Sequence, residues 1–210
     1  ELKCLLKTKN IGTDSDQALL LDFQAALETK PEKAIKLEKD ALAQIENITA
    51  DNARLVSNLH ANLGGLYRMN GHPDLAREHM EKSISLLDQF NLLHINDSIP
   101  QIANYAMFLT EQQEPERGIS ELQKLSGIIK EYHSDDCLDY AKVQETLGTI
   151  YLMTANLPQA KTHFKRAFKI YEKIWADEPE MIEAKYQEIQ ELYPQIGFCI
   201  GKNLSGLLTK

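Results

Sequence analysis

Apolar residues spaced three and four apart recur along nearly the whole chain, interrupted at intervals by Pro, Gly and Asn. A period near 3.6 predicts amphipathic helices, and the interruptions mark their ends. The spacing predicts helices over 16–29, 32–48, 51–70, 73–90, 97–112, 115–132, 136–155, 158–176, 178–194 and 196–208. Pro31, Pro73, Pro115 and Pro158 each fall at or near the start of a second helix. There a missing backbone N–H costs little, because the first turn of a helix has no internal acceptor for it.

The helices come in pairs, and the pairs repeat every 42 residues. The clearest copy runs from Leu63 as LGGLYRMNGHPDLAREHMEKS, with Gly64, Tyr67, Gly71, Ala76, Met80 and Ser83 as markers. A later copy, LGTIYLMTANLPQAKTHFKRA, places Leu147, Gly148, Tyr151, Ala160, Phe164 and Ala167 in the same register, with Asn156 read as the counterpart of Gly71. The copy between them carries Ala106, Leu109, Gly118, Leu122 and Leu125. One period before Gly64 stands Asp22, flanked by Leu21 and Ala25, and one period after Gly148 stands Gln190. Small residues at Gly64, Ala106 and Gly148, facing Ala76, Gly118 and Ala160, let two antiparallel helices approach closely. Such a hairpin cannot bury its apolar face alone, so neighbouring hairpins must stack.

These markers resemble the tetratricopeptide repeat. The usual repeat is about 34 residues, and the longer period here is similar to that of kinesin light chains and related bacterial proteins. The resemblance implies an all-α fold, an α-α superhelix or right-handed solenoid of about five helical hairpins. On that reading residues 16–195 form one solenoid, with units near 16–48, 51–90, 97–132, 136–176 and 178–195. Residues 196–210 form a capping helix, and residues 1–15 the tail of a preceding domain.

Composition narrows the function. With 23 Lys and Arg against 31 Asp and Glu the net charge is −8, and 43% of the residues are hydrophobic. An acidic chain lacks the basic surface that displaces counterions from phosphates, which argues against nucleic acid as a partner of this segment. No run reaches the roughly 18 apolar residues that would span a bilayer, so a membrane partner is not expected either. Three cysteines, Cys4, Cys137 and Cys199, fit a reducing compartment and hence the cytoplasm. The degenerate terminal units favour a monomer, with a homodimer through an uncapped end as the alternative.

Catalytic signatures are lacking: no phosphate-binding loop, HExxH, CxxC or GxSxG occurs. The segment EYHSDDC gathers His133, Asp135, Asp136 and Cys137, but Asp135 or Asp136 more simply caps the next helix. No enzyme activity, cofactor or metal is therefore expected.

Binding is the remaining role. In the resemblance the first helices of the pairs line a concave face. Asn62 and Asn104 stand one period apart just before the small-residue marker, and an amide that both donates and accepts can pair with the backbone of an extended peptide. Kinesin light chains and bacterial peptide-pheromone receptors are similar in using asparagines on first helices. Thr146 interrupts the ladder in the third copy. The same helices present Asn58, Arg68, Met107, Glu111, Lys142 and Thr149, a mixed surface. Ala61, Ala103 and Glu145 stand where a clamp for chaperone tails would need cations or amides. The partner is expected to be a protein or peptide, bound by an interaction module. The alternative is a ligand-sensing segment of a larger signalling or transcription-regulating protein.

Overall fold

A computed structural model describes residues 13–94 and 98–192. Among them nine helices and no strands are found: α1 (Asp14–Ala26), α2 (Pro31–Leu42), α3 (Ala53–Met69), α4 (Pro73–Gln89), α5 (Ser98–Glu111), α6 (Pro115–Tyr132), α7 (Leu138–Met153), α8 (Leu157–Ile174) and α9 (Pro179–Leu192). The predicted helix over 196–208 lies outside the described residues, as do the first twelve residues.

The chain divides into two compact units, one ending at Asn104 and the other beginning at Tyr105, so the boundary falls within α5. In the first unit α1 packs on α2 and α3 on α4, and α2 lies against α3. In the second, α7 packs on α8, α6 lies against α7, and α9 against α8.

The small-residue markers do what close packing requires. A Cβ added at Gly64 would stand 2.6 Å from Met80 Cγ, and one at Gly148 2.9 Å from the Phe164 ring. In the middle copy the same crossing is made from the other side: a Cβ at Gly118 would stand 2.6 Å from the Ala106 carbonyl oxygen. Leu59, Leu63 and Tyr67 of α3 and Leu147, Ile150 and Phe164 of the α7–α8 pair are buried around these crossings.

The turns inside the hairpins repeat as well. Gly71, Gln113 and Ala155, one period apart, all have positive φ (75°, 65° and 58°). In each turn the next residue returns a backbone bond to the helix just ended: His72 N–H to the Tyr67 carbonyl (2.9 Å), Glu114 to Leu109 (2.8 Å) and Asn156 to Tyr151 (2.7 Å). This closure satisfies carbonyls that the helix end leaves orphaned. The counterpart of Gly71 is thus Ala155 and not Asn156, because Asn156 acts one residue later, accepting a bond from the Gln159 N–H as the cap of α8.

Two other expectations shift. α2 ends at Leu42 rather than 48, because Asn52 folds the following loop: its Oδ1 accepts from the Thr49 N–H (2.8 Å) and its Nδ2 donates to the Asn47 carbonyl (2.9 Å). The cap of α7 is Cys137, whose Sγ accepts from the Tyr140 N–H, while Asp136 pairs with Lys173 of α8.

Candidate functional site

α3 has one face in the core and another turned outward. Leu59, Leu63 and Tyr67 are buried, whereas Ala61, Gly65, Arg68 and Met69, at spacings of four, three and one, share the other side. With Met80 and Ser83 of α4 and Gln101 and Asn104 of α5 they line a cleft of about 210 Å³ inside the first unit. Adjacent glycines divide the work. Gly64 is packed against Met80, but a Cβ at Gly65 would meet nothing within 4 Å, so the space above it is open. Met69 at the rim is 83% exposed.

The floor of the cleft is polar and tied together. Gln101 Oε1 accepts from the hydroxyls of Ser57 (2.9 Å) and Ser83 (2.7 Å), both buried, and its Nε2 donates to Asn58 Oδ1. Such a network fixes the Gln101 side chain, since each broken bond would strand a buried polar atom.

The predicted site residues separate accordingly. Arg68 and Asn104 meet at the cleft. Asn58 lies in the network below it. Asn62 points elsewhere: its Nδ2 donates to Asp22 Oδ1 of α1 (2.9 Å) and to Glu38 Oε1 of α2 (3.2 Å). Its donors are committed within the unit, so it is not an open rung of an amide ladder. Met107, Glu111, Lys142, Thr146 and Thr149 all belong to the second unit. There the hydroxyls of Thr146 and Thr149 donate to the carbonyls of Lys142 (3.0 Å) and Glu145 (3.1 Å) on their own helix. Glu145 itself is a structural tie, accepting from the Tyr171 hydroxyl (2.6 Å) and pairing with Lys185 of α9 (3.0 Å). Burial and Glu145 hold the Tyr171 phenol far above its ordinary value, so it stays a donor.

Sequence reasoning passed over Met69, Ser83 and Gln101. It also passed over Leu19, Phe23 and Leu27, which stand one period before Ala61, Gly65 and Met69 and are 40%, 59% and 84% exposed. The 42-residue step was the signal that could have found them.

Two histidines make a further repeated feature. His79 stacks on Tyr67 (ring centroids 5.4 Å apart) and its Nδ1 lies 2.9 Å from His60 Nδ1. Two periods on, His163 stacks on Tyr151 (5.2 Å) and its Nδ1 lies 2.9 Å from Gln144 Oε1. Burial lowers all three histidines, His60 to about 4, with the neighbouring His79 as its second cause. Among the described residues no three His, Cys, Asp or Glu side chains are grouped to hold a metal ion. No described helix is long and apolar enough to cross a membrane.

Residues 98–173 match the family model of the tetratricopeptide repeat. BtubC (BKLC) from P. vanneervenii has the same fold, with a TM-score of 0.71 and 19% identity over 93% of this chain and 78% of that one. Residues 98–173 are tetratricopeptide repeats, and the chain's fold is similar to that of BtubC. The nearly identical repeats of a Podosopora anserina protein assigned as a kinesin light chain also superpose, with a TM-score of 0.68 and 12% identity over 82% and 83% of the two chains. No curated protein matches in sequence. Likeness at identities this low shows the fold alone and leaves the partner to be argued from the surface.

Proposed function

We propose that this tetratricopeptide protein is a non-enzymatic cytoplasmic adaptor that binds a peptide or a partner's helix on the face built from its first helices. The observation that carries this reading is the open cleft over Gly65, bordered by Arg68 and Asn104 and floored by a fixed Gln101. A glycine on a helix face with nothing above it leaves room for an incoming apolar side chain. Asn104 and Arg68 beside it offer donors to a peptide carbonyl or carboxylate. The exposed Leu19, Phe23 and Leu27, at the equivalent positions of α1, extend the apolar character of that face, which suits an amphipathic segment better than a uniformly charged one. In the second unit Met107 and Glu111 on α5 and Lys142, Thr146 and Thr149 on α7 hold the corresponding register positions. Asn62 contributes through the network that holds α1, and Asn58 through Gln101.

The test is a selection of displayed peptides on the wild-type chain, repeated with Arg68→Ala combined with Asn104→Ala. Peptides recovered by the wild type should carry an apolar anchor and bind the double variant at least tenfold more weakly at unchanged melting temperature. Equal recovery by both proteins would move the site off this face.

A further inference from the structure

The 42-residue register pairs a small residue on each first helix with a large apolar one on the second: Gly64 with Met80, Ala106 with Leu122, Gly148 with Phe164. Gly64 faces Met80 and Gly148 faces Phe164 where their helices cross, and Met80, Leu122 and Phe164 are buried. One period earlier the same two positions are Asp22 and Glu38. The first hairpin therefore carries two carboxyl groups, a buried Glu38 and a half-buried Asp22, where its sister hairpins have a small residue and a large apolar one.

Glu38 is only 2% exposed. Its Oε1 accepts from Asn62 Nδ2 (3.2 Å), and its Oε2, fully buried, has no hydrogen-bond partner among the described residues. Asp22 Oδ1 accepts from the same Asn62 amide (2.9 Å). One amide on α3 thus ties together carboxyls on α1 and α2. Neither a cation nor an empty site resolves this arrangement. No metal-ligand group of three is present among the described residues, and hard divalent cations demand six or more oxygens. A charged Glu38 would be poorly solvated and would also meet the nearby Asp22 carboxylate, and the cheapest relief is for Glu38 to stay protonated.

We propose that Glu38 retains a proton on its buried, unpartnered Oε2, and that losing this proton to solvent loosens α1 from its unit, making the first hairpin a pH-responsive joint. The groups that face Glu38 fit this assignment. From α1 comes Asp22 and from α3 the uncharged Asn62 amide, while Lys39, the next residue of α2, lies over the Tyr67 ring. His60 of α3 is bonded to His79 of α4, and Arg68 of α3 lines the cleft. Burial, followed by the Asp22 charge, pushes the Glu38 carboxyl up to about 8. In the unfolded chain the same group ionises at its ordinary value of 4.5. Its contribution to stability is therefore complete below that value and is lost as pH rises through about 8. What loosens carries the exposed Leu19, Phe23 and Leu27 of α1, so the joint would govern presentation of an apolar surface.

The direct test is carbon-13 NMR of the side-chain carboxyls in the full chain between pH 3 and 10, with Glu38 assigned by comparison with Glu38→Gln. A Glu38 resonance that stays in its protonated position at pH 6 and moves only in the alkaline range is the result expected; titration near the ordinary glutamate value would overturn the proposal. A second measurement does not depend on that assignment. The wild-type urea midpoint should fall between pH 6 and pH 9.5. Glu38→Gln keeps the acceptor for Asn62 and cannot ionise, so its midpoint should lose this alkaline fall. Asp22→Gly with Glu38→Met restores the sister hairpins' pair and should lose it too. An alkaline fall of equal size in wild type and both variants would assign the pH dependence elsewhere.

Discussion

Ala155 occupies a left-handed backbone conformation (φ 58°) that its sister position fills with Gly71. An L-residue there pays roughly 1 to 2 kcal/mol in Cβ crowding, offset in part by the extra freedom a glycine would have in the unfolded chain. Ala155→Gly should therefore stabilise the protein by about 0.5 to 1 kcal/mol, seen as a higher urea midpoint with unchanged slope. A loss of stability would mean the turn does not hold this conformation. At the same scale, His60 and Gln144 are register equivalents that bond His79 and His163 at the same 2.9 Å. Protonation of the depressed His60–His79 pair removes the acceptor that their bond requires. Stability from this pair is complete above the ordinary histidine value of 6.5 and is lost as pH falls through the lowered values, about 4 for His60. His60→Gln, which copies the Gln144 arrangement, should flatten the loss in melting temperature between pH 7 and pH 4.5 relative to wild type.

Single helices and their crossings were legible from the chain to the extent that side-chain size decided them. Gly64, Gly118 and Gly148 could be marked from sequence because a repeated small residue in an amphipathic helix has no other purpose than close approach. The structure adds which of them are rigidly opposed. Gly118→Ala would drive a Cβ onto the Ala106 carbonyl, which cannot rotate away, and should cost about 1 to 3 kcal/mol. Gly65→Ala meets nothing and should instead stabilise α3 by up to about 1 kcal/mol, the helix propensity difference. Thermal denaturation of the two variants side by side checks the contrast, and equal effects would show that the two glycines are not differently placed. The end of α2 was not legible, because it is decided by the Asn52 side chain closing a loop ten residues beyond it. Nor could sequence distinguish Asn62 from Asn104: they share a register position, and only the first has carboxyls on both preceding helices to bond.

For the molecule as a whole, the register separates what is generic from what is particular to this chain. The hairpins, their turns and their prolines repeat, and these were readable because each satisfies one local rule several times over. The candidate site is different, since the cleft depends on Gly65 being unoccupied and on Gln101 being fixed from below by Ser57 and Ser83. Neither Gly65 nor Gln101 has a like residue one period away from which its role could be inferred. Acid and alkaline sensitivity through His60–His79 and Glu38 are both assigned to the first unit. Hydrogen exchange, corrected for intrinsic rates, should accordingly show α1 and α2 losing protection between pH 6 and pH 9.5 while α7 and α8 keep theirs. The central claim, that the cleft of the first unit is the anchor point of a partner, is tested most directly by filling it. Calorimetric titration of a selected peptide into wild type and Gly65→Trp should give at least tenfold weaker binding to the variant at an unchanged melting temperature; the same affinity for both would contradict the claim.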